Sequence, residues 1–326
     1  MSISGNKKEV RKILAVRNDR FGEFLLNIPA LRALKESFPG SRLTLVVNPN
    51  VRELAECIDF VDKVITWENK KHKILEVLKF SKELKNEKFD LCVILNPSKE
   101  FNIISFLSGI PVRLGYSRKW GFLLSHKIKD KKYLGEKHEV EYNLDLVKLV
   151  DASTNNLGLS LKIDEGCLKG LFELDNNDNF VVMHPWTSDS VKEWPLENFC
   201  ALTKEILSLD KVKVLLIGGK EELNKNASVF KGLGANLINL TGSTCLKQLA
   251  AVLNKAKLLI SGDSGPVHLS CAVGTPTLAL FRNDLVGKTA KRWGPWGDKH
   301  AVIERSNLFE ITVGEVFNKA KEMLKI

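Results

Sequence analysis

The strongest constraint on this 326-residue chain is a pattern that occurs twice: short continuous apolar runs, each followed by a stretch of helical periodicity. In the first half the runs are Ile13-Leu14-Ala15-Val16, Leu43-Thr44-Leu45-Val46-Val47, Lys63-Val64-Ile65-Thr66 and Asp90-Leu91-Cys92-Val93-Ile94-Leu95. Helical patterns fill the gaps: one ends at Phe38, where Pro39-Gly40 stops it, and others cover 51–58 and 73–85. The second half repeats the scheme with strands at Phe180-Val181-Val182-Met183, 212–217, 236–240, 257–260 and 277–281. Its helices are read at 196–207, after Gly218-Gly219, at 246–254, after Gly265, and at 313–325. Runs without alternation are buried on both faces, and strand–helix alternation at this spacing implies right-handed β-α-β units in parallel sheets. The expected class is α/β, with two Rossmann-like doubly wound domains. Such sheets bind ligands at their strand C-terminal ends, so two of them facing each other would share a central cleft.

The length exceeds what one ordinary core supports, which favours two domains. The polar, acidic segments 151–158 and 175–179 are the expected hinge region, giving domains of 1–160 and 161–326, the second closed by the terminal helix. A chain that is 44% hydrophobic and 27% charged is globular rather than disordered. Residues 1–11 are polar and no secretory signal is visible. No apolar stretch approaches the roughly 20 residues that cross a bilayer. The six cysteines (Cys57, Cys92, Cys167, Cys200, Cys245, Cys271) show neither a C-x-x-C pair nor metal-ligand spacing. The expected compartment is the cytoplasm, with no cofactor and no metal.

Charge is unevenly placed. Residues 1–163 carry a net +9 and residues 164–326 a net +1. Within 113–137, Arg113, Arg118, Lys119, Lys127, Lys129, Lys131, Lys132 and Lys137 face only Asp130 and Glu136. This is either a solvated lysine-rich surface or an attractor for an anionic partner: a phosphorylated glycan, lipid headgroups or nucleic acid. Nucleic acid is disfavoured, because no aromatic residues interleave regularly with the basic stretch and no recognition motif appears.

Four segments are suited to chemistry. In Leu258–Gly274 a strand leads through Gly262-Asp263-Ser264-Gly265 into a helix opened by Pro266, leaving backbone N–H groups and the helix dipole aimed at one spot. His268 leans back toward it. Asp263 or Ser264 would alternatively serve only as a helix cap. In His184-Pro185-Trp186-Thr187-Ser188-Asp189-Ser190-Val191-Lys192, the hydroxyls of Thr187 and Ser188 and the charge of Lys192 suit diphosphate oxygens. Trp194, just beyond, is read as packing. Gly218-Gly219 lets a ligand approach the backbone, and a carboxylate of the following Lys220-Glu221-Glu222 can accept hydrogen bonds from a ribose. Gly22-Glu23 places a carboxylate in the first β-α loop, where it serves either as a general base or as a first-turn acid on the helix dipole. Two common nucleotide motifs are excluded. No G-x-G-x-x-G follows a strand, and Gly287-Lys288-Thr289 lacks the first glycine of a P-loop, because Arg282 stands there.

Read together, several segments resemble glycosyltransferase family 9, the heptosyltransferases of lipopolysaccharide core assembly. They are Asn27-Ile28-Pro29-Ala30-Leu31-Arg32-Ala33-Leu34-Lys35 with Phe38-Pro39, His138-Glu139-Val140-Glu141-Tyr142-Asn143, His184-Pro185 with Lys192-Glu193-Trp194-Pro195, Gly262-Asp263-Ser264-Gly265-Pro266-Val267-His268-Leu269, and Arg292-Trp293-Gly294-Pro295-Trp296-Gly297. The resemblance runs from about Lys12 to the C-terminus. It implies a GT-B architecture with the acceptor on the N-terminal domain and the sugar nucleotide on the C-terminal one. It also implies ADP-heptose as donor and inversion at the anomeric carbon without a divalent metal. Carried over by position, Thr187, Ser188 and Lys192 would face the diphosphate and sugar, and Glu222 the ribose. Asp263, Ser264, Gly265 and His268 would complete the donor pocket. The family carries Gly-Asp where this chain has Gly22-Glu23; glutamate has similar acidity and reaches one methylene further.

The expected mechanism is a single displacement with Glu23 as base and the leaving charge met by Lys192, the hydroxyls and the N–H groups beyond Asp263. Arg20, Arg113, Arg118 and Lys119 are the expected contacts of an anionic glycolipid acceptor, with the protein peripheral at the inner membrane's cytoplasmic face. Two other readings stay open: a GT-B transferase using another nucleotide sugar, and a non-catalytic sugar-nucleotide binder.

Overall fold

The computed structural model of the protein describes residues 10–171, 179–224 and 227–326. The chain forms two compact units that divide between Leu159 and Ser160.

The first unit contains β1 (Lys12–Arg17), α1 (Phe21–Leu25), α2 (Ile28–Ser37), β2 (Arg42–Val47), α3 (Arg52–Ala55), β3 (Lys63–Thr66) and α4 (Ile74–Glu87). It continues with β4 (Leu91–Ile94), α5 (Lys99–Leu107), β5 (Val112–Tyr116), β6 (His126–Ile128) and α6 (Glu139–Val147). The six strands form one sheet in the order β3-β2-β1-β4-β5-β6, and every pairing is parallel. β1 and β4, at the centre, are the most apolar runs because helices cover both of their faces. On one face Leu14, Val16, Cys92 and Ile94 pack against Phe80 and Leu84 of α4 and Phe101 and Ile104 of α5.

The second unit contains β7 (Asn179–His184), α7 (Leu196–Leu207), β8 (Val212–Leu216), β9 (Leu237–Asn239), α8 (Leu246–Lys255) and β10 (Leu258–Gly262). After these come α9 (Gly265–Val273), β11 (Thr277–Arg282), α10 (Ala290–Trp293), β12 (Ala301–Arg305) and α11 (Val313–Leu324). Its sheet repeats the arrangement in the order β12-β11-β10-β7-β8-β9, again all parallel. α7 and α11 pack together over Val181, Val214, Leu258 and Ile260. In each sheet the order reverses between the two central strands, β1 and β4 in the first and β7 and β10 in the second. The α/β, two-Rossmann reading is therefore what the backbone shows.

Some elements differ from the sequence reading. The helix expected over 51–58 is a single turn, α3, preceded by a 3-10 turn at Pro49–Val51 in which the Asn50 N–H donates to the Asn48 side chain. Val51, Leu54, Ala55 and Ile58 are all buried as the pattern requires, but the helical backbone ends at the C-cap Glu56. After Gly219 the described residues hold 3-10 turns at Glu222–Asn224 and Ala227–Phe230 rather than an α-helix. Gly232 and Gly234 then take left-handed backbone and turn the chain into β9. Strands β5, β6 and β12 and helices α5 and α6 went unread. β5 is interrupted by Arg113 and Gly115, β6 is three residues long, and β12 is an edge strand with charged residues among its apolar ones.

Of the two expected hinge segments, 175–178 lie outside the described residues. The other, 151–158, is fastened to α2: the Arg32 guanidinium donates to the carbonyls of Asn156 (2.8 Å) and Gly158 (2.7 Å), and the Ser153 N–H donates to Ser37 Oγ (3.1 Å). Among the described residues no helix is long and apolar enough to cross a membrane. Arg32→Ala removes both carbonyl contacts and is expected to cost about 1–3 kcal/mol. Hydrogen exchange should show faster amide exchange across 152–158 with the β1 and β4 amides unchanged; equal exchange in variant and parent would contradict this fastening.

Candidate functional site

Three loops of the second unit leave the C-terminal ends of adjacent strands β10, β7 and β8, at the reversal of strand order. The first carries Asp263 and Ser264 into α9. Gly265 opens that helix and Pro266 follows in its first turn, one position later than the sequence reading placed it. Ser264 is the N-cap by position, but its side chain makes no capping hydrogen bond. Its hydroxyl instead lies 2.8 Å from Ser261 Oγ and 3.1 Å from His184 Nδ1. The simple capping role is therefore not what Ser264 performs, and the first N–H groups of α9 are left uncapped by it. Asp263 pairs with the Lys192 ammonium. Burial pushes the Asp263 carboxyl above its ordinary value, and Lys192 opposes that rise.

The second loop runs from His184 to Lys192. Burial lowers His184 to about 4, so it is neutral near pH 7. Its Nδ1 sits 3.2 Å from Ser261 Oγ, joining the ends of β7 and β10 through side chains as well as backbone. Thr187 is buried, with its hydroxyl donating to Asp189 O (2.7 Å) and its methyl facing Gly262. Ser188 is exposed, and Lys192 ends a 3-10 turn that Asp189 caps. Trp194 is packing: its Nε1–H donates to Ile311 O (2.9 Å) and its ring meets Phe199 edge-on.

The third loop explains its glycine pair. A Cβ on Gly218 would lie 2.8 Å from the Trp186 ring, and one on Gly219 would lie 2.7 Å from Glu222 Oε2. The Glu222 carboxylate thus rests directly against bare backbone. His268 is buried in the first turns of α9, its ring 6.5 Å from that of Trp293. The donor-site residues expected from the sequence thus lie on three neighbouring loops and the helix that one of them opens. Among the described residues no group of three His, Cys, Asp or Glu side chains could hold a metal ion.

In the first unit Glu23 lies in the first turn of α1, just beyond β1, and is half-buried. Burial raises its carboxyl above the ordinary value, Asp19 raises it further, and Arg17 opposes. Behind it is a buried charge cluster that sequence reasoning missed. Arg17 pairs with Asp19 (2.7 Å) and Glu139 (3.5 Å), and Lys132 donates to Glu139 (2.5 Å) and Asn143 (2.9 Å). Burial disfavours the Arg17 charge, but Asp19 and Glu139 more than offset this and hold it fully protonated. A carboxylate on the apolar side of α6 was the available signal for Glu139. Lys132 was concealed by its lysine-rich surroundings.

The expected acceptor residues separate. Lys132 is interior, so it leaves the basic surface. Arg113 donates to the carbonyls of Ile110 and Leu123 (2.9 Å to the latter) and lies over the Phe106 ring, a structural use of its charge. Arg118 is exposed and pairs with Asp130 (2.8 Å); Lys119 is exposed; Arg20 is exposed beside Glu23.

This fold is that of a GT-B transferase. A solved family 9 glycosyltransferase from Veillonella parvula superposes with TM-score 0.87 at 20% identity, covering 98% of both chains. The Escherichia coli ADP-heptose lps heptosyltransferase II follows at TM-score 0.83 and 20% identity, covering 96% of this chain and 98% of that one. A candidate glycosyltransferase of Haemophilus influenzae is 29% identical over 308 residues, 89% of this chain and 87% of its own. The model of glycosyltransferase family 9 (heptosyltransferase) matches residues 77–315, and the chain belongs to that family. It is a glycosyltransferase.

Lys192→Met keeps the side-chain stem but leaves Asp263 without its hydrogen-bonded cation, at a cost on the order of 2 kcal/mol near neutral pH. A carboxyl that titrates higher in the folded state than in the unfolded one favours folding when protonated. The deficit should therefore grow as pH rises from about 5 to about 8. Urea unfolding at both pH values should show this, and Lys192→Met/Asp263→Asn should recover most of the loss.

Proposed function

We propose that the protein transfers a heptose from ADP-heptose, with inversion, to an anionic lipid-linked glycan of the lipopolysaccharide core type at the cytoplasmic face of the inner membrane. The observation that carries this reading is the second unit's loop set: Lys192 beside the N-terminus of α9, with the Glu222 carboxylate on bare backbone at Gly219. One part suits a diphosphate and the other a ribose. The solved relative named for ADP-heptose has the same fold across 96% of this chain. Heptose as the transferred sugar comes from the family, and ADP as its carrier from that relative.

In this mechanism Glu23 accepts the proton of an acceptor hydroxyl as that oxygen bonds to the anomeric carbon. The bond from that carbon to the diphosphate breaks, and ADP leaves with the electron pair. Lys192, the Ser188 hydroxyl and the α9 N–H groups around Ser264 and Gly265 stabilise the departing charge, His268 and Asp263 line the sugar side, and Thr187, whose hydroxyl is spent on Asp189 O, holds the loop rather than the diphosphate. Such preorganised donors are worth about 10²–10³ in turnover each. Arg20, Arg118 and Lys119 are the exposed cations offered to the acceptor. A general base works best when its pKa approaches the working pH, and a carboxyl raised by burial and by Asp19 moves in that direction.

Thermal-shift screening against ADP-, UDP- and GDP-sugars tests the donor. ADP-heptose at about 100 times its Kd should add about 2.7 kcal/mol and raise Tm by several degrees; a shift with only UDP- or GDP-sugars would overturn the nucleotide assignment. Glu23→Gln should lower kcat by about 10²–10⁴ and keep the donor shift. In the parent enzyme kcat/KM should rise with pH as Glu23 loses its proton, with an inflection above the ordinary glutamate value. Asp19→Asn removes a like charge and frees Arg17, so it should move that inflection down; an unmoved inflection would assign the titration to another group.

A further inference from the structure

The helix α4 begins with two side chains that the fold does not use. Ile74 and Leu75 are 76% and 74% exposed, while the buried face of the helix is made by Phe80, Ser81 and Leu84. Nearby, Trp120 and Phe122 are 47% and 69% exposed, with ring centroids 5.8 Å apart. Side-chain contacts join the two places into one surface. His72 Nδ1 lies 3.2 Å from both oxygens of Glu100, and the Trp67 Nε1–H donates to Glu100 (2.7 Å), tying the approach to α4 to the start of α5. From that start Lys99 Nζ sits 4.1 Å above the Trp120 ring, and the Asn102 amide donates to the Lys119 carbonyl (2.9 Å).

The charge around this apolar rim is net positive. Lys71, Lys73, Lys99 and Lys119 are exposed. The acids among them are engaged: Glu100 with Trp67 and His72, Glu76 with the Lys73 N–H (2.7 Å), and Glu68 with Lys70. The loop also holds strain. Lys119 and Trp120 both take left-handed backbone, at φ +49° and +68°, which non-glycine residues adopt only at a conformational cost. That conformation presents an indole to solvent beside a lysine.

We propose that this surface docks on an anionic phospholipid bilayer, with Ile74, Leu75, Trp120 and Phe122 entering the headgroup–acyl boundary and the four lysines meeting lipid phosphates. Aliphatic side chains at a helix start, amphipathic aromatic rings and flexible cations together match a fluid anionic interface. Each lysine near such a surface, and each apolar side chain that enters it, strengthens binding. The inference rests on the lipid-linked acceptor proposed above for its purpose, and its test needs neither donor nor acceptor.

The test is co-sedimentation of the full chain with phosphatidylcholine vesicles, alone or with about 30% phosphatidylglycerol, at low and high salt. Binding is expected on the anionic vesicles, falling as salt rises. Ile74→Ser/Leu75→Ser and Trp120→Asn are each expected to weaken it about tenfold or more. Both variants change exposed positions, and asparagine suits the left-handed backbone at 120, so both should keep the donor thermal shift of the parent. The proposal is overturned if the parent does not sediment with anionic vesicles, or if both variants sediment as well as the parent. A protein dimer that Ile74→Ser/Leu75→Ser dissociates, without vesicle binding, would overturn it in favour of a second copy as occupant. Donor shifts that persist while vesicle binding fails remove the docking surface and leave the proposed function standing. Vesicle binding with no nucleotide-sugar shift does the reverse.

Discussion

Both units depend on the handedness of the β-α-β crossover. A strand that must return to a parallel neighbour through a covering helix does so right-handed, and a sheet wound outward in both directions from its centre has one place where helices diverge. In the first unit that place lies between β1 and β4 and in the second between β7 and β10. Glu23 follows β1, and the loops bearing Lys192 and Asp263 follow β7 and β10. The chemistry is therefore located by topology before any side chain is chosen. The chain then has only to supply a carboxylate at one reversal and anion-binding groups at the other.

What it supplies is charge in measured partnership. The buried cations near each reversal have carboxylates: Arg17 has Asp19 and Glu139, Lys132 shares Glu139, and Lys192 has Asp263. Unpaired, such groups would impose several kcal/mol of desolvation cost each. Paired, they fix geometry and tune their neighbours, as when Asp19 and burial together raise the Glu23 carboxyl. His184 belongs to the same economy by different means: burial keeps it neutral, and it can orient Ser261 and Ser264 without contributing charge.

The parallel sheets were legible because doubly covered strands must be nearly continuous apolar runs, and β1, β2, β4, β7, β8, β10 and β11 are dominated by such runs. Two of the four edge strands were not: β6 is short and β12 carries charge, since one side meets water, whereas β3 and β9 kept enough apolar residues to be read. The loops of the proposed donor site were readable from residue types that suit phosphate, together with the glycines. Why the glycines are required was not readable, because the Trp186 ring against Gly218 and the Glu222 carboxylate against Gly219 are tertiary contacts. Lys132 shows the opposite failure. Sequence counted it among surface lysines, and only the packing of Glu139 and Asn143 around it makes it interior. Charge runs report composition, and partnership is decided by the fold.

In the proposed mechanism the Lys192–Asp263 pair makes ligand capture in the second unit an exchange rather than an addition. An arriving dianion must draw the ammonium away from a carboxylate that already holds it, so weakly charged solutes gain too little to compete. The released carboxylate is then left in a dry setting with an unmet appetite for a hydroxyl. The ligand that fits best is one whose other end carries hydroxyls, so a single swap of partners favours a molecule that is anionic at one end and polyhydroxylated at the other.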